Sequence, residues 1–219
     1  MNSNAHVEVM RTARTGMSEY ELEARFLYEI YAKGGCRKAA YTSICACGPN
    51  GAVLHYGHAG APNDRILQAT DMALLDMGAD YHGYVSDITC SFPLSGTYTE
   101  DQRAVYEGVL AAQRVVLAHM KVGSWWPDCH RLAEAEILLA LQRIGVVKRG
   151  VSVDELTAAA IGYVIDHPLS LSLSLTAASV AAVAVAVAVT AVTAVTAVTV
   201  YHCRRHSLLL TLSLTHSLT

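Results

Sequence analysis

The sequence predicts an α+β domain over residues 1–165, followed by a tail of different composition over residues 166–219. Strand-like segments are grouped between residues 40 and 92, and helical patterns lie before and after them, as in α+β domains. Charged residues fall almost wholly in the first part, since only Arg204 and Arg205 follow Asp166. A chain of 219 residues is long enough for one domain with its own core, because domains cluster near about 100–150 residues.

The first two helices are indicated by their end signals. A short helix is predicted over residues 5–15, closed by Gly16. The S-x-x-E sequence from Ser18 to Glu21 is a capping box that opens a second helix. This helix is predicted to run to Lys33, where two successive glycines supply a left-handed stop.

Four short β-compatible segments follow the second helix. Clusters of Gly, Pro, Asn and Asp separate them, as expected of turns between strands. The four segments are residues 40–45, 52–56, 73–79 and 84–92. The last two are predicted to form an antiparallel hairpin, with His82 exposed in its turn.

Helical signals return after the hairpin. The T-x-x-Q sequence at residues 99–102 is a second capping box, and apolar residues then recur at helical spacing until Gly123. Pro127 suits the first turn of a further helix, predicted to end at Gly145. The S-x-x-E sequence at residues 152–155 opens one more.

Charge and cysteine content limit the classes of function. The formal net charge is −3, from 16 basic and 19 acidic residues, which gives no reason to expect a nucleic acid or an anionic membrane as partner. The six cysteines show no zinc-type pairing, so we interpret them as free thiols in a reducing compartment. No secretory signal peptide precedes the first helix, and we therefore expect a cytoplasmic protein.

The tail consists of simple repeats. Residues 169–201 contain no charged residue and run through Leu-Ser, Ala-Val and Thr-Ala-Val repeats. This stretch exceeds the roughly 20 apolar residues that a membrane helix needs. A non-native extension translated from simple-sequence DNA, a membrane anchor and a disordered tail remain three alternatives, of which we favour the first.

Asp76 and Asp87 are the strongest chemical signal in the sequence. Each carboxylate interrupts an apolar segment, and a buried carboxylate without a partner is costly. On adjacent strands the two would approach one point and repel each other unless a cation lay between them. Hard carboxylate oxygens favour Mn²⁺, Mg²⁺, Ca²⁺ or Zn²⁺. The alternative is that one aspartate caps a turn while the other pairs with a basic side chain.

Two further residues carry less specific signals. His55 lies at a predicted strand end beside a glycine-rich loop, where it is a proton donor, a metal ligand, a substrate contact or a structural histidine. Tyr41 lies on the first predicted strand and belongs either to the core or to an active-site wall. The pair Trp125-Trp126 is most simply an aromatic plug at a helix start.

Six ordered segments together resemble the prolidase, or Xaa-Pro dipeptidase, family. They read YTSIC from Tyr41, LHYGHAGAPND from Leu54, DMG from Asp76, SDITCSFP from Ser86, DQRAVY from Asp101 and WWPDCHRL from Trp125. The resemblance implies a pita-bread (creatinase/aminopeptidase-like) catalytic fold, present in part, and two Mn²⁺ ions, with Zn²⁺ or Co²⁺ as alternatives. It also implies hydrolysis of dipeptides with a carboxy-terminal proline, and a homodimer in intact members.

The resemblance assigns roles to four residues. Asp76 would bind one metal and Asp87 would bridge both. His55 would contact the substrate as a catalytic residue, and Tyr41 would lie near the metals and the substrate.

The similarity ends before the implied metal site is complete. The family continues with a His-Gly-Leu-Gly-His segment and two glutamates, whereas this sequence passes into repeats after Asp166. The amino-terminal domain of prolidases is also absent ahead of the first helix. We therefore expect weak metal binding and no Xaa-Pro hydrolysis by this polypeptide. A non-catalytic pita-bread binding module, or a fragment tethered to a membrane through residues 169–201, are the competing hypotheses.

Overall fold

The computed structural model describes residues 1–53, 55–56, 63–147, 150, 152 and 154–155. The boundary predicted at residue 165 and the repeat-rich tail lie outside the described residues. None of the helices within the described ranges has the length and apolar character to cross a membrane.

The second amino-terminal helix follows its predicted end signals, whereas the first begins and ends three residues earlier than predicted because the backbone is already extended at Ala13. Helix α1 spans Asn2–Thr12, and helix α2 spans Glu19–Tyr28. The capping box is confirmed, since the Ser18 backbone N–H donates to the Glu21 carboxylate at 2.6 Å. The second helix continues through a π-helical turn, Glu29–Lys33, and so ends where the sequence predicted.

Two small antiparallel sheets form the centre of the domain. The first has the order β2-β3-β6 and the second the order β1-β4-β5. Their strands are β1 Lys38–Ala39, β2 Ile44–Cys47, β3 Met72–Met77, β4 Ala79–Tyr81, β5 Tyr84–Val85 and β6 Ile88–Pro93.

The predicted hairpin is present and is divided between the two sheets. Its turn contains the exposed His82, whose φ of 53° places it in the left-handed region. Each arm is broken once: Gly78 separates β3 from β4, while Ser86 and Asp87 separate β5 from β6. The prediction of two continuous strands was therefore wrong at these positions.

Two further strand predictions were wrong. The strand predicted over residues 40–45 begins only at Ile44, so Tyr41 lies in the bend before it, and the strand predicted over residues 52–56 is replaced by turns. Gly48–Ala52 forms a 3-10 helix, and residues 55–56 lie in a turn. Pro49 occupies the first turn of the 3-10 helix, and Gly48 enters it with a φ of 55°. Local turn chemistry thus outweighs the apolar character of the segment.

The alternation of β3 determines which face of the central sheet meets the helices. Ala73, Leu75 and Met77 belong to the main core, together with Leu22 and Phe26 of α2. Leu74 packs instead in a separate buried cluster with Ile44, Ala46 and Tyr56. Because successive side chains point to opposite faces, Asp76 lies on the Leu74 face, away from the main core.

Two long helices pack against each other after the sheets. Helix α3 spans Glu100–His119 and helix α4 spans Trp126–Arg143. Their shared core is formed by Ala112, Val116, Cys129, Ala133, Ile137 and Leu141. The helices cross closely at Gly108, where an added Cβ would lie 2.5 Å from the Cβ of Ala140.

The second capping box predicts a measurable stability change. The Thr99 hydroxyl accepts from the Gln102 backbone N–H at 3.2 Å, and the Gln102 side chain accepts from the Thr99 N–H at 3.0 Å. Replacing Thr99 by alanine is expected to lower the free energy of unfolding by about 1 kcal/mol, measured by denaturant titration. The control, exposed Thr15→Ala, should remain within about 0.5 kcal/mol, and equal losses in both variants would contradict the assignment.

Candidate metal centre

A single tyrosine hydroxyl joins the two aspartates that the sequence singled out. The Tyr41 hydroxyl oxygen lies 2.5 Å from Oδ1 of Asp76 and 2.8 Å from Oδ1 of Asp87. All three side chains are partly buried. Residues 35 and 46 positions apart in sequence therefore meet at one point.

The strand register brings these residues together. Asp76 lies in β3, directly opposite Ile44 of β2 and Thr89 of β6. Asp87 occupies the break between β5 and β6, and not a strand as predicted. Irregular backbone at this position aims the Asp87 carboxylate at the Tyr41 hydroxyl.

Gly78 makes the close approach of Tyr41 sterically feasible. A Cβ at this position would lie 2.1 Å from the Ser86 carbonyl oxygen and 2.7 Å from Cε1 of Tyr41. The Gly78 carbonyl also accepts a hydrogen bond from the Ala40 N–H at 2.9 Å. The segment leading to Tyr41 is thereby held against the break in the hairpin.

The carboxylates of Asp76 and Asp87 lie near a single proton, that of the Tyr41 hydroxyl. Burial raises the pKa of Asp76 to about 6; the hydrogen bond from Tyr41 opposes this rise, and the charge of Asp87 adds to it. The Thr89 hydroxyl also donates to Asp76 and lowers its pKa. Burial is the main cause that raises the pKa of Tyr41 well above its usual value, and the two carboxylates add to this rise. The phenol therefore remains a hydrogen-bond donor.

The proton count favours a cation at this position. Tyr41 has one hydroxyl proton, whereas two carboxylate oxygens lie within hydrogen-bond distance of its oxygen. The second carboxylate therefore needs its own proton or a positive charge. Oxygen donors of this kind fit a hard divalent ion such as Mn²⁺ or Mg²⁺.

The ligand set within the described residues is small. No group of three or more His, Cys, Asp or Glu side chains in these ranges is arranged to hold a metal ion. Asp76 and Asp87 therefore form a two-carboxylate site in the part of the chain that the structure describes.

The other sequence-predicted site residue is His55. It lies in the turn after the 3-10 helix with an exposed side chain, and its neighbours at residues 54 and 57–62 lie outside the described residues.

At the start of α4, Trp126 packs against the helix core, whereas Trp125 is 62% exposed. The aromatic plug thus consists of one of the two tryptophans.

Sequence reasoning missed the role of Glu19. Its carboxylate is fully buried and accepts hydrogen bonds from the Cys47 N–H at 2.7 Å, the Asn50 amide at 3.0 Å and the Tyr56 hydroxyl at 2.6 Å. These contacts attach the segment that carries His55 to the start of α2. The sequence carried one signal of this burial: Glu19 lies three residues before the apolar Leu22 and therefore shares a face of the helix with it.

Comparison with known proteins identifies the family of the chain. Residues 1–166 match metallopeptidase family M24. The chain is 52% identical to Xaa-Pro dipeptidase of Homo sapiens over 164 residues, which are 75% of this chain and 33% of the human protein. It is 49% identical to the Rattus norvegicus Xaa-Pro dipeptidase over 181 residues, 82% of this chain and 36% of the rat protein. The chain therefore spans about a third of the length of the curated relatives that it matches.

Solved structures of aminopeptidases are also similar to this chain. Aminopeptidase PepP of Pseudomonas aeruginosa has a TM-score of 0.67 at 36% identity, over 73% of this chain and 35% of that protein. Zinc-substituted Escherichia coli aminopeptidase P in complex with product has a TM-score of 0.66 at 32% identity, with the same coverage. These similarities confirm the pita-bread type of α+β fold for the matched part.

The match over residues 1–166 and the fold shared with aminopeptidases define a domain of the metallopeptidase class. The chain belongs to metallopeptidase family M24, as its ordered sequence segments indicated. Membership of this family implies a divalent metal cofactor.

Proposed function

We propose that this chain carries the first part of the catalytic site of a peptidase of the Xaa-Pro dipeptidase type. The proposed substrate is a dipeptide with a carboxy-terminal proline, and the proposed metals are two Mn²⁺ ions. The observation that carries this proposal is the Tyr41 hydroxyl within 2.8 Å of both aspartate side chains. The sequence identity to Xaa-Pro dipeptidases, 52% and 49% over the matched residues, supports the proposal.

The proposed roles follow from the chemistry of each side chain. Asp76 and Asp87 would hold the metal ions, while the Tyr41 hydroxyl, within hydrogen-bond distance of both carboxylates, keeps them oriented towards one point. His55 is proposed as the residue that contacts the dipeptide, since its imidazole is exposed. When bound, such a metal pair polarises the scissile carbonyl and lowers the pKa of a water molecule.

We further propose that the 219-residue polypeptide lacks Xaa-Pro dipeptidase activity. Residues 167–219 contain no glutamate and no His-Gly-Leu-Gly-His segment, so the ligands that the family places later in the chain do not occur there. Two carboxylates provide few of the six or more oxygen ligands that hard cations prefer. Retention of both aspartates favours this proposal over a non-catalytic binding module.

Metal binding tests the ligand assignment. Titration of the full chain with Mn²⁺, followed by electron paramagnetic resonance of the free ion, should show weak binding, with a dissociation constant of about 10⁻⁴–10⁻³ M. Asp87→Asn should abolish this binding, because the amide removes the negative charge. Asp80→Asn alters a carboxylate in the same hairpin that pairs with Lys38, and should leave binding unchanged. Undiminished Mn²⁺ binding by the Asp87 variant would refute the assignment.

Turnover tests the proposed lack of activity. Full chain incubated with Mn²⁺ and the dipeptide Gly-Pro is expected to release no free proline above the rate without protein. Proline release that disappears in the Asp87→Asn variant would show that the two aspartates suffice for hydrolysis, contrary to the proposal.

Compartment and assembly complete the proposal. The five cysteines in the described ranges are all unpaired, which is consistent with a reducing cytoplasm. A homodimer is proposed from the family resemblance, and sedimentation velocity of the full chain would distinguish it from a monomer.

A further inference from the structure

A group of soft donor atoms lies where α1 meets β6. Nδ1 of His6 is 3.3 Å from Sγ of Cys90, and the same sulfur is 3.8 Å from Sδ of Met10. His6 and Met10 are four residues apart on α1 and therefore share one face of that helix. An imidazole, a thiol and a thioether thus converge on one small volume.

The hydrogen bond on the far side of the imidazole determines which nitrogen faces the sulfur. Nε2 of His6 lies 3.0 Å from the Met77 carbonyl oxygen, which can only accept. Nε2 therefore carries the proton, and Nδ1 presents its lone pair to Cys90. A backbone carbonyl that accepts from the second ring nitrogen is the usual partner of a metal-binding histidine.

The donor separations are close to those around a bound closed-shell metal ion. With metal–sulfur bonds of about 2.3 Å and metal–nitrogen bonds of about 2.0 Å, trigonal or tetrahedral angles separate nitrogen from sulfur by about 3.5–3.7 Å. The same bonds separate two sulfurs by about 3.8–4.0 Å. The observed 3.3 Å and 3.8 Å need only a small expansion to accept an ion.

Access and burial suit a small site that is closed on one side. His6 is 3% exposed, whereas Met10 is 38% exposed, so an ion can enter from the Met10 side. Burial raises the pKa of the Cys90 thiol to about 12, and the metal-free thiol therefore donates to Nδ1. On binding, the S–H proton passes to water and a sulfur–metal bond takes its place.

We propose that His6, Met10 and Cys90 form a binding site for Cu⁺. Thiolate and thioether sulfur select soft ions, and imidazole is a good copper ligand. The thioether argues for Cu⁺ over Zn²⁺, because protein zinc sites use Cys, His and carboxylate ligands. This site is separate from the candidate metal centre in both ligand type and position.

The strand register supports that separation. Cys90 lies opposite Leu75, which belongs to the main core, whereas Thr89 lies opposite Asp76. Since neighbouring residues of a strand face opposite sides, the Cu⁺ site lies on the helix-covered face of the sheet. The two carboxylates lie on the other face, so the two sites share no ligand.

A competition titration tests the proposal. Reduced full chain is titrated with Cu⁺ in the absence of oxygen against bathocuproine disulfonate, a coloured Cu⁺ chelator. The wild-type chain should retain one more equivalent of Cu⁺ than the Cys90→Ser variant. Met10→Leu keeps a similar apolar volume and should weaken this equivalent at least about tenfold, since even outer partners of metal ligands are worth about 10- to 100-fold. X-ray absorption of the bound copper should show two sulfurs and one nitrogen.

Matched variants separate this site from the other thiols, since the chain has six cysteines. Cys129→Ser removes a buried thiol of α4, and Met17→Leu removes a thioether outside the cluster; both should retain the full affinity of the wild type. Equal loss in the Cys90 and Cys129 variants, or unchanged affinity in Met10→Leu, would overturn the proposal. Because Met10 is partly exposed, its variant tests the site even if Cys90→Ser does not fold.

Discussion

Replacement of Gly78 by alanine is expected to lower the free energy of unfolding by about 3 kcal/mol, the upper end of overpacking costs. The added Cβ would lie 2.1 Å from the Ser86 carbonyl oxygen and 3.0 Å from the Cβ of Ala40. The backbone of Ser86 is itself hydrogen-bonded to Ala79 at 3.0 Å, so it cannot move away without breaking the hairpin. Chemical denaturation followed by far-ultraviolet circular dichroism measures the loss.

The same change should weaken the metal centre. The added Cβ would also lie 2.7 Å from Cε1 of Tyr41, and the displaced ring would lose its contacts with the two aspartates. Mn²⁺ binding is therefore expected to fall together with stability. Gly51→Ala is the matched control, because a Cβ there meets nothing within 4 Å and its φ is ordinary. A stability change in Gly78→Ala within about 0.5 kcal/mol of this control would contradict the steric argument.

Replacement of Glu19 by alanine is expected to destabilise the chain by at least about 3 kcal/mol. It leaves the Cys47 N–H and the Tyr56 hydroxyl without their acceptor, while the Asn50 amide keeps only its contact with the Tyr56 oxygen. Each buried group without a partner costs about 1–3 kcal/mol. Glu19→Gln keeps one acceptor oxygen and should recover part of this loss. Denaturant titrations of the variants measure the difference.

The control for this prediction is a glutamate at the same helix position. Glu100 is also the first residue of its helix but is exposed, so Glu100→Ala removes only its interaction with the helix dipole, worth about 0.3–1 kcal/mol. Equal losses for Glu19→Ala and Glu100→Ala would show that the buried network does not stabilise the fold.

Several features of the domain were determined by local sequence. Both capping boxes in the described helices formed as predicted, because a cap depends on residues three positions apart. The hairpin followed from two apolar segments and a short polar turn. Asp76 and Asp87 were predicted to form a site because charge inside apolar segments needs a partner, and neighbouring segments predicted the family, which is confirmed.

Other features were decided only by tertiary structure. The break of the hairpin at Gly78 depends on the Ser86 carbonyl and the Tyr41 ring, neither of which is adjacent to it in sequence. Similarly, Glu19 appears in the sequence as an ordinary charge at a helix start. Its burial becomes evident only when Cys47 and Tyr56 are folded against it.

The candidate metal centre divides in the same way. The sequence by itself determined that Asp76 and Asp87 each interrupt an apolar segment, and from this it predicted that they approach one point. The family resemblance placed Tyr41 near the metals, but only the fold decided that its hydroxyl, 35 residues before Asp76, lies between the two carboxylates. Local patterns report contacts within a few residues, whereas a site assembled from separate segments depends on packing across the whole domain.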